Sequence, residues 1–115
     1  MNSNGDVSNN YVSNDKKIRK MILGLGKTGL SCARYFSTLG VPFSVMDAKS
    51  QPGLLSQLRR LDPEVAFSQL EEDTRFSPQE IDELIVSPGI PLSTRSIQQA
   101  ISDGIGVNGD VNIFL

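Results

Sequence analysis

Apolar residues fall in short runs, separated by amphipathic stretches and by breaks rich in glycine and proline. The first run, Met21-Ile22-Leu23 within residues 18–23, stops at Gly24. A run without polar interruption predicts a strand buried on both faces. Past the glycine turn, Gly29, Cys32, Ala33 and Phe36 recur at helical spacing, and Gly40 stands where a left-handed C-terminal cap belongs. Residues 41–47, VPFSVMD, are β-branched and aromatic, with Pro42 near the start where a missing N–H is tolerated. They predict a second strand. Leu54, Leu55, Leu58 and Leu61 predict a short helix after Pro52-Gly53, and EVAF at 64–67 a short third strand. Residues 68–80 are polar and show no decisive period. ELIV at 83–86 reads as a fourth strand closed by Ser87-Pro88-Gly89. A helix over about 93–103 follows, with Ile97, Ala100 and Ile101 on its apolar face before Gly104, and IGVN at 105–108 makes a fifth strand.

Strands alternating with helices imply right-handed crossovers and a parallel sheet. The expected fold class is therefore α/β, a Rossmann-like doubly wound parallel sheet of about five strands with flanking helices. Residues 1–16 form a polar Asn/Ser-rich leader, expected to be disordered, and residues 17–115 the domain. At the far end Asp110 is a good helix N-cap, and the apolar pattern of VNIFL begins a turn that stops at once. This predicts one domain of a longer protein.

Composition narrows the chemistry. The 115 residues are 38% hydrophobic, enough for one core. A net charge of −2 and a pI near 5.0 argue against a nucleic-acid partner, which would need a basic face. DKKIRK at 15–20 is the single basic cluster. With one cysteine and no histidine, neither an internal disulfide nor a Cys/His metal site is expected. Cys32, on an apolar helix face, reads as a small buried hydrophobe. The leader lacks the apolar stretch of a signal peptide and no run reaches membrane-spanning length, so no membrane association and a cytoplasmic location are expected.

Residues 21–31, MILGLGKTGLS, combine two phosphate-binding signatures. A P-loop ending in Gly26-Lys27-Thr28 would require glycine at position 21, which is Met21, so that reading fails. Gly24, Gly26 and Gly29 instead spell G-x-G-x-x-G between a strand and a helix, with Asp47 at the end of the next strand. In this reading Gly24 permits the turn, Gly26 lets a phosphate approach the backbone, and Gly29 lets the helix pack closely on the sheet. The N–H groups of Gly26, Lys27, Thr28 and Gly29 would then face an anion, with a Thr28 hydroxyl in support. The alternative is that the glycines serve packing alone. Asp47 could accept hydrogen bonds from a ribose or base, or serve as a turn carboxylate before Lys49. SPGIP at 87–91 lies on the same edge of the sheet, either as a ligand loop or simply as a turn. These features predict a nucleotide-diphosphate-binding domain without naming the nucleotide. A nicotinamide cofactor remains the alternative, although no histidine is available to handle a substrate proton.

Taken together, GLGKTGLS, VMDAKSQPGL, LIVSPGI and the closing GDVNIFL resemble the N-terminal domain of the MurD-type Mur ligases of bacterial peptidoglycan synthesis, from about Ile18 to Leu115. The resemblance implies a three-domain cytoplasmic enzyme whose first domain binds the UDP part of UDP-N-acetylmuramoyl-L-alanine. A central domain, introduced by a P-loop, would bring ATP and Mg²⁺, and a third would complete the site for ATP and D-glutamate. It implies that Lys27 and Thr28 stand at the diphosphate turn, Asp47, Ala48 and Lys49 at the uracil-binding strand end, and Ser87, Pro88 and Gly89 beside the uridine. No catalytic residue, metal ligand or cofactor of its own is implied for this segment, which alone would not catalyse ligation. Family members often carry Thr-Arg where Ala48-Lys49 stands, replacing a planar guanidinium by a point charge on a flexible stem. Their closing acidic residue is Asn112 here.

Overall fold

The computed structural model describes residues 19–109, and within them the chain runs β1 (Lys20–Leu23), α1 (Lys27–Leu39), β2 (Phe43–Asp47), α2 (Leu55–Leu61), β3 (Ala66–Gln69), β4 (Glu83–Val86), α3 (Arg95–Ser102) and β5 (Gly106–Asn108). All strand pairs are parallel, in the spatial order β3-β2-β1-β4-β5. The α/β doubly wound expectation holds. The chain steps outward from β1 to β3, then crosses back to place β4 on the other side of β1. That reversal opens a crevice beyond the carboxyl ends of β1 and β4, the switch point at which such sheets receive ligands.

β1 lies at the centre because both of its faces are apolar. Ile22 packs with Val45, Ile85, Leu30, Cys32, Ala33, Phe36 and Leu58 on the side covered by α1 and α2. Met21 and Leu23 face the opposite layer with Leu84, Val86, Phe76, Ile97, Ala100 and Ile105. Strand alternation thus turns one unbroken apolar run into two cores. Cys32 is fully buried, as its helix face required, and burial pushes its thiol pKa up, so it stays protonated and unreactive at neutral pH. Gly40 ends α1 at φ 71°, the left-handed cap expected from its position.

Several boundaries differ from the sequence pattern, each for a local reason. The third strand begins at Ala66 rather than Glu64, because the Glu64 N–H donates to Asp62 Oδ1 (3.1 Å) and the Val65 N–H to the Asp62 carbonyl (3.0 Å). Those two residues belong to the turn after α2. Ile105 precedes the fifth strand, its N–H held by the Ala100 carbonyl beyond the end of α3. Ile97 and Ala100 form the buried stripe of α3, whereas Ile101 is 48% exposed and not part of the core face. The polar stretch 68–80 contributes Ser68 and Gln69 to β3 and buries Phe76. Its anchor is Gln99 on α3, which accepts from the Phe76 N–H (2.8 Å) and donates to the Phe76 carbonyl (2.9 Å). The leader, Ile18 at the expected start of the first strand, Asp110 and Asn112 lie outside the described residues.

Candidate functional site

Three strand ends converge on the switch point, and the glycine turn is the first. Gly24 follows β1 with φ +98°, a conformation that disfavours any residue with a Cβ. Its N–H bonds the Met46 carbonyl at the end of β2 (2.7 Å). A Cβ on Gly29 would fall 2.1 Å from the Gly24 carbonyl oxygen, so α1 sits down on the turn only because Gly29 has none. Gly26 differs from both. Its φ of −100° is ordinary, and a Cβ there would meet nothing within 4 Å. Packing therefore explains Gly24 and Gly29, while Gly26 faces open space. The first intrahelical bond runs from the Leu30 N–H to the Gly26 carbonyl (2.9 Å), leaving the amides of residues 26–29 without an intrahelical acceptor. No acidic residue occupies the first turn of α1, so the positive end of its dipole is uncompensated there.

The ends of β2 and β4 complete the walls of a cleft of about 350 Å³. Of the residues singled out from sequence, Gly26, Lys27, Thr28, Asp47, Ala48, Ser87, Pro88 and Gly89 line it. Gly29 and Lys49 do not: Gly29 is buried under the turn, and Lys49 is exposed beyond the rim. Gly24, Leu25 and Ile90 line the cleft as well. Leu25 and Ile90 stand next to expected loop residues, and the available signal was their apolar character inside turns, Leu25 between Gly24 and Gly26 and Ile90 between Gly89 and Pro91. Asp47 has a definite internal role. Its Oδ1 accepts from the Lys49 N–H (2.8 Å), the turn bond anticipated for it, and its Oδ2 accepts from the Leu25 N–H (2.7 Å), 22 residues away. The Lys49 amide is thus already used within the loop, and the Ala48 carbonyl accepts from Gln69 Nε2 (2.8 Å). The 87–90 segment closes as a turn through Ile90 N–H to the Ser87 carbonyl (3.0 Å), and Ser87 Oγ donates to the Gly24 carbonyl (2.9 Å).

The arrangement suits an anion on the α1 amides with Lys27 beside it, and a polar group near Asp47 and Ala48. Among the described residues no group of three or more His, Cys, Asp or Glu is placed to hold a metal ion, and no helix is long and apolar enough to cross a membrane.

Comparison with known proteins gives the family and supports the fold. Over 95 residues the chain is 39% identical to the UDP-N-acetylmuramoylalanine--D-glutamate ligase of Pseudomonas putida, covering 83% of this chain and 21% of that protein. It is 40% identical to the ligase of the same name from Thiobacillus denitrificans, covering 82% of this chain and 20% of that one. The chain thus spans about a fifth of the length of these relatives. The fold superposes on the UDP-N-acetylmuramate:L-alanyl-gamma-D-glutamyl-meso-diaminopimelate ligase of Neisseria meningitides with a TM-score of 0.61 at 18% identity, covering 79% of this chain and 28% of the other. The family described as Mur ligase MurD-like, N-terminal domain, matches residues 18–109, which include every strand, helix and cleft residue above, and the chain belongs to that family.

Proposed function

We propose that the cleft binds the UDP moiety of UDP-N-acetylmuramoyl-L-alanine, and that residues 17–115 are the substrate-binding domain of a cytoplasmic peptidoglycan-synthesis ligase. One observation supports this most directly: the α1 amides, the end of β2 and the turn after β4 converge on a single switch-point cleft in a chain of this family. In this reading the amides of 26–29 with Lys27 and Thr28 hold the diphosphate. Asp47, Ala48 and Lys49 form the uracil end, and Ser87, Pro88 and Gly89 flank the uridine. The parent enzyme would use ATP and Mg²⁺, bound by domains beyond this segment, to phosphorylate the substrate carboxylate. The amine of D-glutamate then displaces phosphate from the acyl phosphate, forming the amide.

Titration of the chain with UDP, with UDP-N-acetylmuramoyl-L-alanine and with NADH, followed by amide chemical shifts, tests the reading. UDP and the full substrate should bind weakly and move residues 26–29, 47–49 and 87–89, because the other domains add further contacts. Tighter binding of NADH, with those loops silent toward UDP, would overturn it in favour of a nicotinamide cofactor domain.

A further inference from the structure

Both ends of one peptide group in the glycine turn are gripped by side chains from the two strands that flank β1. The carbonyl of Gly24 accepts from Ser87 Oγ (2.9 Å), at the end of β4. The N–H of the same peptide unit, on Leu25, donates to Asp47 Oδ2 (2.7 Å), at the end of β2. The carbonyl is also walled in by α1, since a Cβ on Gly29 would lie 2.1 Å from its oxygen. The Gly24 N–H, on the preceding peptide, is tied to the Met46 carbonyl (2.7 Å). The Gly24–Leu25 plane therefore cannot rotate without breaking two side-chain bonds at once.

We propose that Ser87 and Asp47 act together as positioning residues, clamping the Gly24–Leu25 peptide so that the following amides, 26–28, are held in place before an anion arrives. The argument is geometric. Gly24 sits at φ +98°, and glycine has wide backbone freedom, so the dihedral preferences of the turn alone do not hold this peptide in one orientation. Two acceptor–donor contacts at opposite edges of the plane remove that freedom, and a binding loop fixed in advance loses less entropy when it closes on a ligand. Neither bond works alone. Releasing the hydroxyl lets the carbonyl swing and carries the Leu25 N–H away from Asp47, and releasing the carboxylate does the same to the Gly24 carbonyl. Contact of Asp47 with a ligand, as in the UDP reading, is separate from this link and by itself would leave Leu25 exchange in Ser87→Ala unchanged.

The clamp itself is tested without any ligand, while its effect on binding rests on the UDP reading above. Hydrogen exchange at Leu25 is measured in the 115-residue chain and in Ser87→Ala, which leaves Asp47 in place. Ser87→Ala should speed Leu25 exchange although Ser87 does not touch that N–H, and Asp47→Ala, which removes the acceptor, should do so directly. Unchanged Leu25 protection in a folded Ser87→Ala variant would overturn the clamp, whether or not UDP binds. The second measurement is a double-mutant cycle on UDP affinity. Each single variant should weaken UDP roughly five- to tenfold, from release of the same peptide, and the double variant no more than the weaker-binding single. Independent, multiplying losses would overturn the joint role. Should Ser87→Ala fail to fold, Ser87→Gly, which also lacks the hydroxyl, serves for both measurements.

Discussion

Glycines that look alike in sequence separate into two kinds at the level of single residues. Gly26 adopts an ordinary φ and borders open space, so Gly26→Val should fold, with a loss on the order of 1 kcal/mol from a poorer residue at the N-cap. Its branched side chain would project into the cleft, and UDP binding should fall beyond detection. Gly29→Ala would place a methyl 2.1 Å from a backbone oxygen, and backbone does not yield as a flexible side chain does. It should destabilise the chain by roughly 1–3 kcal/mol or more through overpacking. Melting temperature and UDP titration on both variants check this. A folded Gly26→Val variant with wild-type UDP affinity would remove the loop from the binding site. The tasks of Gly24 and Gly29 were legible in sequence, because G-x-G-x-x-G between a strand and a helix asks for a tight turn at the first glycine and close packing at the third. The full role of Asp47 was not. Its bond to the Lys49 amide is local and follows from turn chemistry, but its bond to Leu25 exists only because β1 and β2 are adjacent and end together.

At the scale of elements, strong periods specify where an element lies and weakly patterned ends do not. β4 occupies the residues ELIV to the letter, and the buried face of α1 is the one its spacing marked. β3 slid by two residues because Asp62 captures the amides of Glu64 and Val65, a competition between turn and strand that hydrophobicity does not encode. The stretch before β4 was opaque for a related reason. Its long-range anchors include one buried ring, Phe76, and one distant amide, Gln99, whose carbonyl and NH₂ satisfy both main-chain groups of Phe76. Gln99→Ala should therefore leave two part-buried backbone groups unpaired and cost about 1–3 kcal/mol in denaturant unfolding. Amide exchange should accelerate around Phe76, and UDP affinity should stay as in the wild type, since Gln99 packs on the other layer from α1. Wild-type stability in Gln99→Ala would mean that Phe76 is held by its ring alone.

For the molecule as a whole, the alternation of strands and helices predicted a doubly wound parallel sheet, while the order of its strands comes from the structure. The observed sequence β3-β2-β1-β4-β5 makes the functional consequence geometric: one cleft, fed by three strand ends that are far apart along the chain. A ligand seated there contacts residues from both sides of the reversal and binds only the folded chain. Binding and stability are then linked, with a gain of RT ln(1 + [L]/Kd), or about 2.7 kcal/mol at a hundredfold excess over Kd. In a domain of this size each kcal/mol moves the melting temperature by roughly 4–8 °C, so UDP at that excess should raise it by roughly 10–20 °C. NADH at the same concentration should raise it less. Gly26→Val supplies the internal control, because it should melt cooperatively on its own yet show no rise with UDP. A thermal scan of both proteins with and without each nucleotide measures this directly. An equal rise with UDP in Gly26→Val and in the wild type would place the stabilising contacts outside the glycine loop, and a larger rise with NADH would point the cleft toward a dinucleotide.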